Sequence, residues 1–113
     1  MESKADKREA ARQFKERKVA AGAYAVRCSP SGAVWVGVSR NLDAARNACW
    51  FSLRMRGHRV GSLQAAWDVH GEDSFTFEIL QALDEDTHPL AVQDLLKEMK
   101  AAWVARLAAL PLL

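Results

Sequence analysis

Six arginines (Arg27, Arg40, Arg46, Arg54, Arg56 and Arg59) fall within residues 27–59, where Asp43 is the one acid. A guanidinium presents a planar fork of donors that matches phosphate oxygens, and neutralising phosphates releases counterions, so the pattern suits a polyanion such as nucleic acid. Residues 1–20 add seven Lys/Arg against four acids, whereas residues 61–100 carry nine acids against Lys97 and Lys100, so the net charge of +2 conceals a basic first half. The alternative is a solvated surface whose imbalance is only compositional. Spacing singles out Arg46. Helical period puts it on one face with Leu42, Cys49 and Leu53, and an arginine there needs a partner, a cleft, or a stem laid over the core edge with its head in water.

Other chemistry-bearing residues are sparser. Trp35 and Trp50 lie among the arginines and, with Trp67 and His70, suggest a base-stacking platform, but their strand and helix spacings fit burial in a core. The two cysteines, Cys28 and Cys49, are far apart and lack metal-ligand spacing, which predicts reduced, semi-buried thiols and neither a disulfide framework nor a zinc site. The acids of "DEDTH" read as a solvated cluster at a loop and helix start.

These residues must be positioned by a small set of elements. "ESKADKREAARQFKERKVAA" is rich in helix formers with opposite charges at helical spacing and little apolar content, so residues 1–20 are expected to form an exposed or loosely docked N-terminal helix. In "AYAVRC" and "AVWVGV" apolar side chains recur at every second place, and "SPSG" between them supplies Pro and Gly for a turn, which predicts a β-hairpin. Asn41 precedes "LDAARNACWFSLRMRG", with Asp43 in its first turn and Gly57 to end it, which predicts a helix. A shorter helix follows in "SLQAAWDVHG", with Leu63, Ala66, Trp67 and His70 on one side, and "SFTFEILQAL" begins with strand alternation at Phe75, Phe77 and Ile79. Pro89 opens a long helix whose stripe of Val92, Leu96, Met99, Trp103, Leu107 and Leu110 keeps helical period to the end.

The expected fold class is α+β, a three-stranded antiparallel sheet flanked by helices in the order α-β-β-α-α-β-α. The 113 residues suit one hydrophobic core, with the N-terminal helix at 1–20 preceding a domain at 21–113. No apolar run approaches the roughly 20 residues that span a bilayer, and the charged N-terminus lacks a secretory apolar stretch, so no membrane partner is expected and the cytoplasm is the expected location. The oligomeric state stays open, and the tail "LAALPLL" offers a surface for the domain or a second copy.

"GAY" at 22–24 followed by "WVG" at 35–37 resembles the paired signature of the GIY-YIG nuclease family. The likeness continues through "WVGVSRNLDAARNACWFSLRMRGHRVGSLQAAWDVHGEDSFTFEIL" and covers roughly residues 22–107. It implies metal-dependent hydrolysis of a nucleic-acid phosphodiester, with DNA the first candidate. A single divalent ion held by a glutamate polarises the phosphate, a hairpin tyrosine helps to deprotonate water, and an arginine stabilises charge developing on phosphorus. Cations and donors lower this barrier because the transition state is more negative than the diester.

Carried over residue by residue, the resemblance assigns Tyr24 to water activation, His58 of "RGH" to proton transfer or leaving-group stabilisation, and Gly37 to close approach of backbone or phosphate. Trp35 stands at the second tyrosine; it keeps an aromatic wall but is an indole donor and no base. The family arginine falls on Ala45, with Arg46 adjacent as the substitute, and a family histidine falls on Cys49. Glu98 in "LLKEMKAAW" is the candidate ligand for Mg²⁺ or Mn²⁺, although aligning on Trp103 places the family glutamate near Lys100. Trp35, Gly37, Arg40, Arg54 and Arg56 complete the expected nucleic-acid surface. The reading is a metal-dependent endonuclease with a degenerate site. The alternative is a catalytically inactive domain that keeps the fold and binds nucleic acid or a protein partner, and the two differ in whether Glu98, Tyr24 and Arg46 share one cleft.

Overall fold

A computed structural model describes residues 20–112. The expected N-terminal helix at 1–20 therefore lies, Ala20 apart, outside the described residues. The elements that follow are β1 (Gly22–Cys28), β2 (Val34–Ser39), α1 (Leu42–Arg54), α2 (Gly61–His70), a 3₁₀ turn (Glu72–Ser74), β3 (Phe75–Ala82), α3 (Pro89–Leu107) and β4 (Leu110–Pro111). The fold is α+β, and the sheet has four strands in the order β3-β1-β2-β4.

The first three strands are antiparallel, with Tyr24 opposite Gly37 and Val26 opposite Trp35 across β1 and β2. Tyr24 also faces Ile79 of β3, and the β1–β3 register shifts between Ala23 and Tyr24. Gly22 opens the strand beside that irregularity, where any Cβ would run into the Gln81 carbonyl. The fourth strand corrects the expectation of a helix that keeps period to Leu110. Ala108 adopts the left-handed conformation (φ 50°, ψ 43°) and stops α3 at Leu107. Pro111 disfavours the α region for Leu110 before it, so the chain leaves extended and pairs parallel to β2 through Trp35↔Leu110 and Val36↔Pro111.

The two-residue period of β1 sends its side chains to two different layers. Tyr24, Val26 and Cys28 join Trp35 of β2, Leu42, Cys49, Trp50 and Leu53 of α1, Leu63 and Trp67 of α2, and Phe75 in one core cluster, closed by Leu112. The fully buried small residues Ala23 and Ala25 turn to the opposite face, where α3 packs on β1 and β2 and buries Leu96 and Met99.

Helices α1 and α3 begin where local chemistry predicts, whereas α2 starts after Val60 without a side-chain cap. The Asn41 side chain accepts from the Ala44 amide at 3.0 Å, and Pro89 opens α3 behind His88, whose Nδ1 accepts from the Leu90 amide at 3.1 Å. The tryptophans form the core and not an exposed platform. Trp50 meets Trp67 edge to face with ring centroids 5.5 Å apart, and Trp67 lies 5.3 Å from Phe75. His70, the fourth member of the suggested platform, is exposed at the end of α2. Both cysteines are buried and free. Among the described residues, no helix is long and apolar enough to cross a membrane.

Candidate functional site

One face of α1 opens a cleft. Ala45, Ala48, Cys49 and Ser52 recur at i, i+3, i+4 and i+7, the spacing that sets four residues on one side of a helix. They are met by Tyr24 from β1, by Val38 and Ser39 at the end of β2, and by the loop from Gly57 to Val60, enclosing about 320 Å³.

Tyr24 lies in the floor. Its ring stacks on Phe77, with centroids 4.8 Å apart and planes 21° from parallel. A Cβ on Gly37 would come within 2.7 Å of the Tyr24 hydroxyl oxygen and 2.8 Å of Cζ. The missing side chain of Gly37 thus makes room for the phenol of its cross-strand partner. Gly37 is buried beneath that ring, so the close approach expected there is made by tyrosine and not by phosphate. Burial, and then the nearby Cys49 thiol, push the Tyr24 pKa up to about 12. At pH 7 such a phenol is almost wholly protonated, so its hydroxyl carries a proton that it can donate.

His58 is held by its own loop. Its backbone amide donates to Gln64 Oε1 at 3.1 Å, and its Nδ1 accepts from the Val60 amide at 3.0 Å. An accepting Nδ1 carries no proton, so the ring proton sits on Nε2. Nε2 stands 3.7 Å from Cys49 Sγ, a weak acceptor. Burial lowers the His58 pKa from 6.5 and raises that of Cys49 to about 11. The result is a neutral imidazole beside a protonated thiol, with its Nε2–H turned toward Cys49. The two serines are already engaged: Ser52 Oγ donates to the Ala48 carbonyl at 3.0 Å, and Ser39 Oγ bonds the backbone of Asn41.

The structure brings Tyr24 and His58 together and leaves the other expected site residues outside the cleft lining. Arg46 is exposed, one helical step round from Ala45, with its guanidinium carbon 5.7 Å from the centroid of the Trp50 ring. Ala45 itself lines the cleft with a methyl group. Arg54 is paired with Glu72 through two bonds of 2.8 and 2.7 Å, and Arg40 donates to Gln93 at 3.0 Å. Arg56, exposed at φ 58°, belongs to the turn that ends α1. Trp35 is 2% exposed and donates its indole N–H to Ser62 Oγ at 3.0 Å. Its ring serves the core and offers no face to a base, which corrects its place on the expected surface. Glu98 is exposed on α3, and the Lys100 ammonium donates to the Leu112 carbonyl at 2.8 Å. Arg59, one of the six clustered arginines but not among the expected site residues, is an exposed cation of the cleft lining; its place directly after His58 is the sequence signal for it.

Mg²⁺ and Mn²⁺ favour oxygen ligands and are usually held by one or two carboxylates. The cleft offers a phenol, two committed serines, a thiol, an imidazole and a guanidinium, with no carboxylate. Among the described residues, no three His, Cys, Asp or Glu side chains gather as a metal group. This donor set does not fit a hard divalent ion.

No family model matches the chain, and no curated protein matches it. Solved structures do. The catalytic domain of the homing endonuclease I-TevI superposes with a TM-score of 0.68 at 21% identity, covering 80% of this chain and 96% of that one. A point mutant of the same intron-endonuclease domain superposes with a TM-score of 0.67 at 21% identity, covering 80% and 86%. The chain has the fold of a GIY-YIG nuclease catalytic domain.

Proposed function

We propose that this protein engages nucleic acid on its nuclease-type fold and receives a backbone phosphate in the Tyr24–His58 cleft, binding it without a divalent ion. One observation carries the reading: Tyr24, His58 and Arg59 line the same open cleft, and no carboxylate lines it with them. Protonated donors and a guanidinium attract a phosphate, whereas a metal-dependent hydrolase needs a ligand for its ion, and none stands there. The arginine-rich stretch from Arg27 to Arg59 supports a polyanionic ligand as well.

A second reading, cleavage of the phosphodiester as an endonuclease, is favoured by the likeness to an endonuclease catalytic domain and by the shared cleft of Tyr24 and His58. It requires Mg²⁺ or Mn²⁺ and a carboxylate, with Glu98 the sequence candidate. Labelled single- and double-stranded DNA and RNA, incubated with the purified chain in either ion or in chelator, separate the two readings. Salt-sensitive binding with no product is the expected result. Metal-dependent cutting that is lost in both Glu98→Ala and Tyr24→Phe would replace the binding reading with the nuclease one.

A further inference from the structure

We infer that Arg59 is the phosphate-contacting cation of the cleft, supplying in a metal-free anion site the positive charge that α1 does not provide at Ala45. The inference rests on the reading that the cleft receives a nucleic-acid phosphate, and it names the group that recognises it.

Arg59 is the one arginine or lysine in the cleft lining. Most other arginines are engaged elsewhere: Arg27 with Glu78 at 3.0 Å, Arg40 with Gln93, Arg54 with Glu72, Arg46 over Trp50 and Arg106 over Trp103, while Arg56, in the turn that ends α1, lies outside the cleft lining. Among the described residues, Arg59 has no such partner. Its fork is thus available without first breaking an ion pair, and no lining carboxylate competes for it.

The remaining donors suit the same ligand. Ser39 and Ser52 already spend their hydroxyl protons on backbone carbonyls, which leaves the Tyr24 hydroxyl and the His58 Nε2–H. The latter faces only a thiol sulfur at 3.7 Å, and an anionic oxygen is a much stronger acceptor. One guanidinium and two neutral donors balance a single negative charge, the charge of a phosphodiester. The volume of about 320 Å³ lies at the lower end of ligand clefts.

The test is fluorescence anisotropy of a labelled single-stranded DNA with the full chain, in EDTA and in Mg²⁺, for the unaltered protein, Arg59→Gln, Arg59→Lys and Arg106→Gln. Arg106→Gln removes the same charge from α3 and controls for bulk electrostatics. Equal affinity in EDTA and Mg²⁺ is expected. Arg59→Gln should weaken binding about ten-fold and reduce the salt slope by about 0.7, the loss of one phosphate contact on a single strand, with Arg59→Lys intermediate and Arg106→Gln close to the unaltered protein. Binding that needs Mg²⁺, or equal losses in Arg59→Gln and Arg106→Gln, overturns the inference while leaving nucleic-acid binding standing. If the unaltered chain binds no nucleic acid, the broader reading fails first, and inorganic phosphate then tests the site alone. A phosphate-dependent shift of the His58 ring resonances that disappears in Arg59→Gln retains the anion site; no shift overturns it. Thermal melts of each variant check folding, and Arg59 is an exposed loop residue.

Discussion

Replacing Gly37 by alanine tests the packing that fixes the floor of the cleft. The added Cβ would stand 2.7 Å from the Tyr24 hydroxyl oxygen, 2.8 Å from Cζ and 3.1 Å from Leu112 Cβ, where ordinary contact begins at 3.4 Å. The phenol must therefore retreat by about 0.7 Å. Its freedom is limited, because its face lies 4.8 Å from Phe77 and its backbone is paired on both sides, to Gly37 and to Ile79. Forcing one methyl into such a core costs about 1–3 kcal/mol. For a domain of about 100 residues, a loss of 2 kcal/mol lowers Tm by about 10 °C. Urea unfolding followed by tryptophan fluorescence measures the loss, and it should be made in two backgrounds. In a Tyr24→Leu background the clash with the ring is gone, so Gly37→Ala should cost at most the smaller contact with Leu112. Equal losses in the two backgrounds would refute the claim that Gly37 exists to admit the Tyr24 phenol.

Two further outcomes follow from the same geometry. His58 is held below its ordinary pKa of 6.5 by burial, so on acidification the unfolded chain takes up this proton before the folded one does. Its contribution to stability is complete above about pH 6.5 and declines as pH falls below that value; the pair of Glu72 with Arg54 acts lower, below the carboxylate value of 4.5. Urea midpoints at pH 7.5 and 5.5 should thus differ less in His58→Gln than in the unaltered chain, and an identical drop in both would remove His58 as the cause. Trp35→Phe deletes the bond to Ser62 and part of a fully buried side chain, which predicts a loss of about 1–3 kcal/mol with nucleic-acid affinity unchanged. Unchanged stability with much weaker binding would return Trp35 to the ligand surface.

The layer structure was legible because it is carried by short-range signals. Alternation in "AYAVRC" and "AVWVGV", the Asn41 cap and Pro89 all act within a few residues of the element they specify. The C-terminus was misread because the stripe through Leu107 and Leu110 satisfies helical period, while Pro111 and the left-handed Ala108 decide the outcome locally. A two-residue strand that pairs parallel to β2 leaves no periodicity to detect. The cleft was legible only in part. Tyr24 and His58, both named from the resemblance, line one cleft, but the partition of the arginines is hidden in the sequence, since the ion pair of Arg54 with Glu72 spans 18 residues and that of Arg27 with Glu78 spans 51. Sequence charge locates the basic half without saying which uncommitted guanidinium lines the cleft.

The positions where this chain departs from the GIY-YIG pattern have structural roles that support one another. At the second tyrosine, Trp35 fills the core and anchors α2 through Ser62, a bond that ties the sheet to the loop-side helix behind His58. Cys49, at the position of a histidine, is a buried, protonated thiol beside the His58 ring. Ala45 leaves the α1 wall without a cation and opens space toward the loop that carries Arg59. Lys100, near the expected metal-binding glutamate, donates to the Leu112 carbonyl, while the Leu112 amide donates to the Val36 carbonyl at 2.7 Å and its side chain closes the core beside Gly37. A glutamate at 100 would set a carboxylate against that carbonyl, two acceptors with no shared proton. Restoring a metal ligand at that position alone would therefore work against the C-terminal strand.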